Sequence, residues 1–543
     1  MHHVYEIYMR NSSRILVNDL LKTLTTFNRI QGSKGLWDAV SFLKEMVEDR
    51  GFETKLLTIE SGVKKGYIET PVSWDLIDAY VEFRDGDNVI GIFSSRDHPT
   101  IVAAHAPSGE GCGELSICSN DKCSDGVVLA TGYPYDLYVN NDANLFVYYN
   151  ENRYPDAFPY TGLFLEPNEI MRNKTMVTIP YRFAQKLISL VKVKNRKINV
   201  CWKIESSYGN RGLPALLAWR GEEPGILFIS HICHPKPGAH DNVSGSVANF
   251  IALDVLSRVG SEESFGSIHV WVPEYTGTVF LRDHLPWIPK SILNLDMVGS
   301  KQNVSGSTLV VINTPRFIAS ELASYLWFSI QKVFDSSFSY NGINQPSIRY
   351  SYSPYGIGSD HDVFVTWGYD AIMINEWPSK FYHTDMDDVD SIDPMNIIKI
   401  TVSSLLASFM LIKKPNKNVK EIFESFVRVW YRSQALRNDF SLSFLVKNMV
   451  KTPVIIEPFE KPILETPVFG RAIYRILGRD AFLELDKIRN ALTYLEVYGP
   501  LAEAVGLKNH IKSFQAELLV KWSRKEEDKV KDAFAIIKSR IGL

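Results

Sequence analysis

Apolar and polar positions fall into distinct textures along the chain. Residues 11–50 place Leu20, Leu21, Leu24, Phe27, Leu36, Phe42, Leu43 and Val47 at helical spacing, which predicts N-terminal helices engaged in core packing. From 98 to 204 the pattern shortens to strands and turns, with apolar runs at 126–132, 145–149, 177–181 and 198–202. From 226 onward, short apolar runs at 226–230, 268–272, 292–297, 309–313 and 371–375 alternate with helical patterns at 243–259, 317–333 and 395–412. Strands buried on both faces read as continuous apolar runs, so this alternation predicts an α/β fold with a mainly parallel sheet covered by helices. Beyond Pro415 the pattern is helical, and 511–541 is a charged amphipathic ending with Phe514, Leu518, Leu519 and Trp522 on one side, expected to be a cap or a homo-oligomer surface.

These changes divide the chain into 1–97, N-terminal helices and the start of a catalytic domain; 98–204, a β-rich insert; 205–412, the catalytic domain; and 413–543, a helical C-terminal region. At 543 residues the chain exceeds a single core. Its 59 Lys and Arg balance 62 Asp and Glu and are spread along the chain, which argues against nucleic acid or a membrane surface as partner. No signal-like apolar stretch opens the sequence, and no run reads as long and apolar enough to span a bilayer. Five cysteines make no disulfide framework in so long a chain. A soluble, cytoplasmic protein is expected, with Cys112, Cys118 and Cys123 as free thiols or one local disulfide.

The chemistry concentrates in the loop 231–245, between the run 226–230 and the helix pattern 243–259. His231, Cys233, His234, His240 and Asp241 crowd a strand-to-helix junction, where open α/β sheets collect ligands. This density of imidazole, thiol and carboxylate points to metal binding. Glu274 follows the run 268–272, Asp296 ends 292–297, Asp360 and His361 open a helix, and His383 follows 371–375, so all fall at the same sheet edge. His240 reads as a surface imidazole, His269 as a satisfied core histidine, and Asp385, Asp387, Asp388 and Asp390 as a solvated loop that offers His383 an orienting partner. Ser244 lacks the strand-elbow context of a nucleophilic serine.

The motifs 238–245 (Gly-Ala-His-Asp-Asn-Val-Ser-Gly), 294–299 (Asn-Leu-Asp-Met-Val-Gly), Ser359-Asp360-His361 and His383-Thr384 resemble those of the zinc aminopeptidases with a co-catalytic metal pair, a family that also contains the glutaminyl cyclases. The resemblance covers about residues 50–412. Ser61-Gly62 and 74–80 are similar to a narrower aminopeptidase-like group, and the insert resembles a protease-associated domain. It implies a zinc exopeptidase core that binds one or two zinc ions, with Asp241 bridging, His231 and Asp296 completing one site, His383 in the second, and Glu274 as general base.

Two positions depart from the family. Cys233 stands where an orienting Asp is expected, as a zinc ligand or as a space-filler. Tyr275 replaces a Glu ligand, which leaves the second site short, with His234 or His240 as substitutes; His234 is also an alternative to His231. The expected function is hydrolysis of N-terminal residues from a peptide or aminoacyl-amide substrate. Other amide chemistry, such as amidohydrolysis or glutaminyl cyclisation, and a non-catalytic metal-binding relative are the alternatives.

Overall fold

The computed structural model describes residues 2–118, 123, 125–171, 173–335, 337–338 and 344–543. Its centre is an eight-stranded mixed sheet. In chain order the strands are β1 (Glu53–Ile59), β2 (Leu213–Arg220), β3 (Gly225–His231), β4 (Gly266–Val272), β5 (Ser291–Asp296), β6 (Thr308–Ile312), β7 (Tyr350–Ser353) and β8 (Ala371–Trp377). In space they run β1-β2-β4-β3-β5-β8-β6-β7. The inner strands β4, β3, β5 and β8 are parallel, with registers such as His231 beside Val272 and Asp296 beside Asn375. Antiparallel pairs β1–β2, β2–β4 and β6–β8 flank them.

Parallel strands buried on both faces need two covering layers. One consists of the N-terminal helices Arg14–Leu24 and Lys34–Glu48, each started by a serine N-cap, with Gly245–Arg258, Leu322–Phe334 and Pro394–Lys413. Pro394–Lys413 is long and apolar enough to cross a membrane by composition, contrary to expectation, yet most of it lies buried in this layer.

The other layer corrects the reading of the C-terminal region as a cap or oligomer surface. Tyr494, Tyr498, Phe514, Trp522 and Phe534 pack in one core with Ile229, Val270 and Val272 of the sheet. The C-terminal helices are therefore the second wall of the α/β fold, which explains their apolar stripes.

A second, seven-stranded sheet stands beside the core, with strands in the order 88–94, 73–85, 198–209, 109–117, 126–130, 143–148 and 175–178. It begins at Ser73, earlier than the expected insert boundary of 98. The long strand Ser73–Asp85 pairs with Ile198–Gly209, so its alternating pattern belongs to this sheet and not to the catalytic one. The cysteines also differ from expectation. Cys112 pairs with Cys201 across adjacent strands, Cys118 pairs with Cys123, and Cys233 alone is free. Strand pairing between 109–117 and 198–209 sets the first of these, and no local spacing reveals it.

Candidate metal centre

β3 carries its apolar run to His231, where the chain leaves the sheet. The following loop is fixed from the N-terminal region. Arg29 and His234 exchange backbone hydrogen bonds of 3.0 and 2.9 Å. The fully buried Arg29 guanidinium donates to the carbonyls of Leu24, Phe27, Ile232, Pro237 and Gly238. Burial lowers its pKa to about 10, with Cys233, Asp387 and Asp241 opposing. Gly238 has φ +52°, and a Cβ there would stand 2.8 Å from the Asp241 carbonyl oxygen and 2.9 Å from Arg29 Nη2. Gly245 lets the next helix approach β5, since its Cβ would meet the Leu295 carbonyl oxygen at 2.1 Å.

These constraints bring five of the expected ligands together. His231 Nε2 lies 3.4 Å from Asp241 Oδ1 and 3.3 Å from Asp296 Oδ1. On the other side of the same carboxylate, Asp241 Oδ2 lies 3.4 Å from His234 Nε2 and 3.1 Å from His383 Nε2, and the two imidazole nitrogens stand 3.2 Å apart. Two donor triads, His231–Asp241–Asp296 and His234–Asp241–His383, thus share Asp241, one through each carboxylate oxygen.

The donor set fits a pair of cations. Ligand atoms about 2.0–2.1 Å from a tetrahedral ion stand about 3.3–3.4 Å from one another, close to the separations here. Asp296 Oδ1 is buried and faces His231 without forming a hydrogen bond. The carboxylates of Asp241, Asp296, Glu274 and Asp360 also converge, an excess of buried negative charge that cations offset.

His231 and His234 are therefore not alternatives, since each enters its own triad. Tyr275 does not enter the second. Its hydroxyl donates to Asp362 at 2.6 Å and its ring packs on Phe469, so His234 completes the set. Cys233 Sγ lies 3.9 Å from His231 Nδ1, on the side away from the Asp ligands, and accepts the Glu274 amide at 3.2 Å. The thiol also forms a third candidate donor group with His231 and His234, so it can ligate a metal or orient His231 and the Glu274 turn. Burial resists ionisation of this thiol, but contacts from His231 and His234 bring its pKa below the usual value.

Glu274 follows β4 and lines a cleft of about 880 Å³ together with His234 and His383. Burial holds its carboxyl well above the usual range, reinforced by Asp360, Asp296 and Asp241 and opposed by His231. Asp360 positions the turn by accepting the Tyr275 amide at 2.8 Å and the Thr278 hydroxyl. Burial raises the Asp360 pKa to about 6. Four non-glycine residues at this edge, His234, Tyr275, Met297 and His383, have positive φ, and such strain persists where surrounding structure enforces it.

Other expectations change. His361 is buried and bonds the Gly356 carbonyl at 2.9 Å, away from the triads. His240 is no surface imidazole: it is buried, with Nε2 3.6 Å from Glu376 Oε2 and Nδ1 3.3 Å from Ser379. Asp387 is buried instead of solvated and accepts the amides of His240 and Asp241 at 3.0 and 2.9 Å. Burial lifts its pKa to about 6. His269 is a satisfied core histidine, bonded to Asn249 and Ser267. Arg29, Gln31 and the cleft walls were missed. Gln31 donates to the Glu274 carbonyl at 3.1 Å, and Tyr133 and Phe164 from the second sheet face Phe469 and Arg471 from the C-terminal region.

Residues 286–407, which carry Asp296, Asp360 and His383, match the family model described as Peptidase family M28. That segment is similar to the M28 peptidases. The match excludes 231–275, where Cys233 and Tyr275 depart from the family's motifs. An M28 peptidase precursor from Shewanella amazonensis SB2B superposes with TM-score 0.54 at 12% identity, covering 76% of this chain and 97% of that one. A candidate peptidase from Clostridium acetobutylicum gives 0.52 at 16% identity, covering 75% and 82%. Both share the fold. A zinc aminopeptidase from Bacillus subtilis gives 0.48 at 16% identity over 74% and 94%, a score too low to add to the fold argument. No curated protein matches the chain.

Proposed function

We propose that this protein is a zinc-dependent aminopeptidase of the M28 type that releases N-terminal residues from short peptides or aminoacyl amides. The observation that carries the reading is the pair of His/Asp triads joined by Asp241 beneath a cleft that also holds Glu274. Imidazole and carboxylate donors suit zinc: His231, Asp241 and Asp296 would hold one ion and His234, Asp241 and His383 the other. Zinc bound there supplies Lewis acidity toward a carbonyl oxygen and lowers the pKa of water.

The protein's own groups do the rest. Glu274, buried beside the triads, takes the proton from the attacking water and returns it to the departing amine. Cys233, Gln31 and Asp360 hold the 274–275 turn, so the carboxylate meets the cleft in one orientation. Tyr160, whose ring packs edge-on against His234 and His383, closes that side to solvent.

Metal stoichiometry on the purified protein, paired with hydrolysis of aminoacyl amides by wild type and Glu274→Gln, tests this. Two zinc ions per chain and a loss of about 10²–10⁴-fold in the variant are expected for removal of a general base. A protein without metal, or a variant with full activity, would sink the proposal.

A further inference from the structure

Three arginines line the cleft, and two of them have partners. Arg471 donates to the carbonyls of Leu163 and Phe164, which ties the C-terminal region to the second sheet. Arg475 pairs with Glu69, Glu166 and Glu169. Arg153 differs. Among the described residues no carboxylate pairs with it, Glu151 included, and its Nε is buried without a hydrogen-bond partner. Its one contact of note is aromatic, with Cζ 4.8 Å from the centre of the Tyr382 ring.

That contact places the cation beside the reacting centre. Tyr382 stacks on His383, with ring centres 3.8 Å apart and planes inclined by 22°. Arg153 therefore sits one stacked ring away from a ligand of the second triad. The loop that carries it is fixed to the His383 turn. Tyr160 donates its amide to the His383 carbonyl at 2.7 Å, Phe158 donates to Asp385 at 2.9 Å, and the Tyr154 ring meets Phe381 edge-on.

A guanidinium is a planar fork of donors with no acceptor, and it matches a carboxylate through two parallel hydrogen bonds. Leaving such donors unsatisfied costs free energy, so an unpaired arginine in a substrate cleft implies an acceptor on the ligand. We propose that Arg153 binds a carboxylate of the substrate and makes the enzyme selective for short substrates that carry one. The inference rests on the peptidase reading for what the cleft holds. The carboxylate has two sources, the side chain of an N-terminal acidic residue or the free C-terminus of a dipeptide.

Four probes separate them: glutamyl-alanine amide against glutaminyl-alanine amide, and alanyl-alanine against alanyl-alanine amide. Each is assayed on metal-loaded wild type, Arg153→Met and Arg153→Lys. The methionine keeps the stem on Tyr382 and removes the charge. Wild type is expected to favour one carboxylate probe over its amide. Arg153→Met then loses about 10- to 100-fold in kcat/KM on that probe, mainly through KM, the span of a charge-assisted hydrogen bond. Arg153→Lys recovers part of the loss, and the neutral probes stay unchanged, which controls for folding. The probe pair that responds identifies the source.

No preference for either carboxylate, or an equal loss on all four probes, overturns the inference. If nothing is hydrolysed, calorimetric binding of the same probes decides. Binding of a carboxylate probe that depends on Arg153 keeps the inference and removes the peptidase reading, whereas binding indifferent to Arg153 overturns it.

Discussion

Asp387 accepts the backbone amide of Asp241 at 2.9 Å, so a carboxylate outside both triads sets the position of the residue that joins them. Its other oxygen takes the His240 amide, and its own carbonyl accepts from Ala239. Removing such a partner commonly costs 10–100-fold in metal affinity. Asp387→Ala is expected to lose affinity in that range, while Asp387→Asn, which keeps an acceptor, loses less. Competition with a calibrated chelator measures both.

His234 predicts a stoichiometry. With Tyr275 turned toward Asp362, the second triad has only His234, Asp241 and His383. His234→Ala is expected to bind one ion per chain where wild type binds two. His240→Ala is expected to keep both, since His240 faces Glu376 and Ser379. Elemental analysis after gel filtration distinguishes the outcomes.

Arg29 makes a stability prediction. Its five carbonyl acceptors lie within the N-terminal region and the loop 232–238. Arg29→Met leaves those buried acceptors unpaired, at a cost of about 1–3 kcal/mol for each group that finds no water. A fall in the urea midpoint of the apoprotein, with weaker metal binding, is expected.

The pH dependence of stability has an identifiable contributor far from the metal centre. Glu517 is buried on the C-terminal layer, where it accepts the Arg316 amide at 3.0 Å and the Tyr498 hydroxyl at 3.1 Å. Burial raises its pKa from 4.5 to about 7, with Arg316 opposing. The folded state then binds more protons than the unfolded chain between those values. Its contribution is therefore fully present below about pH 4.5 and is lost as pH rises through about 7, an effect of about 3 kcal/mol at most. Glu517→Gln is expected to flatten that part of the profile and to be the more stable protein at pH 8, as denaturant titrations at several pH values would show.

Cysteine pairing is checked by counting thiols. The denatured, unreduced protein is expected to expose one thiol, Cys233, and the reduced protein five.

The α/β class was legible because the buried strands β3, β4 and β5 announce themselves as apolar runs ending in chemistry: His231, then Glu274 just beyond β4, then Asp296. Such residues at strand ends need only the rule that parallel strands share a carboxyl edge. Long-range partners stayed hidden. Nothing in the local pattern of 385–390 tells a solvated acidic loop from one whose Asp387 is folded under Asp241. Arg29 reads as an ordinary helix-end cation until the loop 232–238 closes over it. Whether His234 stands in for the expected Glu was open in the sequence, because Tyr275 faces the triads or Asp362 according to a backbone turn with positive φ. The second sheet's early start at Ser73 was missed because alternation reports which face of a strand is buried and says nothing about which sheet it joins.

The cleft walls have a consequence for how this protein can diversify. Every proposed ligand comes from 231–383, whereas Tyr133, Arg153, Phe164, Phe469 and Arg471 come from the second sheet and the C-terminal helices. The proposed ligands and most of the cleft wall thus sit on different stretches of chain. Substituting wall residues such as Tyr133, Phe164 and Arg471, with Tyr160 kept, is a route to new selectivity that retains every proposed ligand.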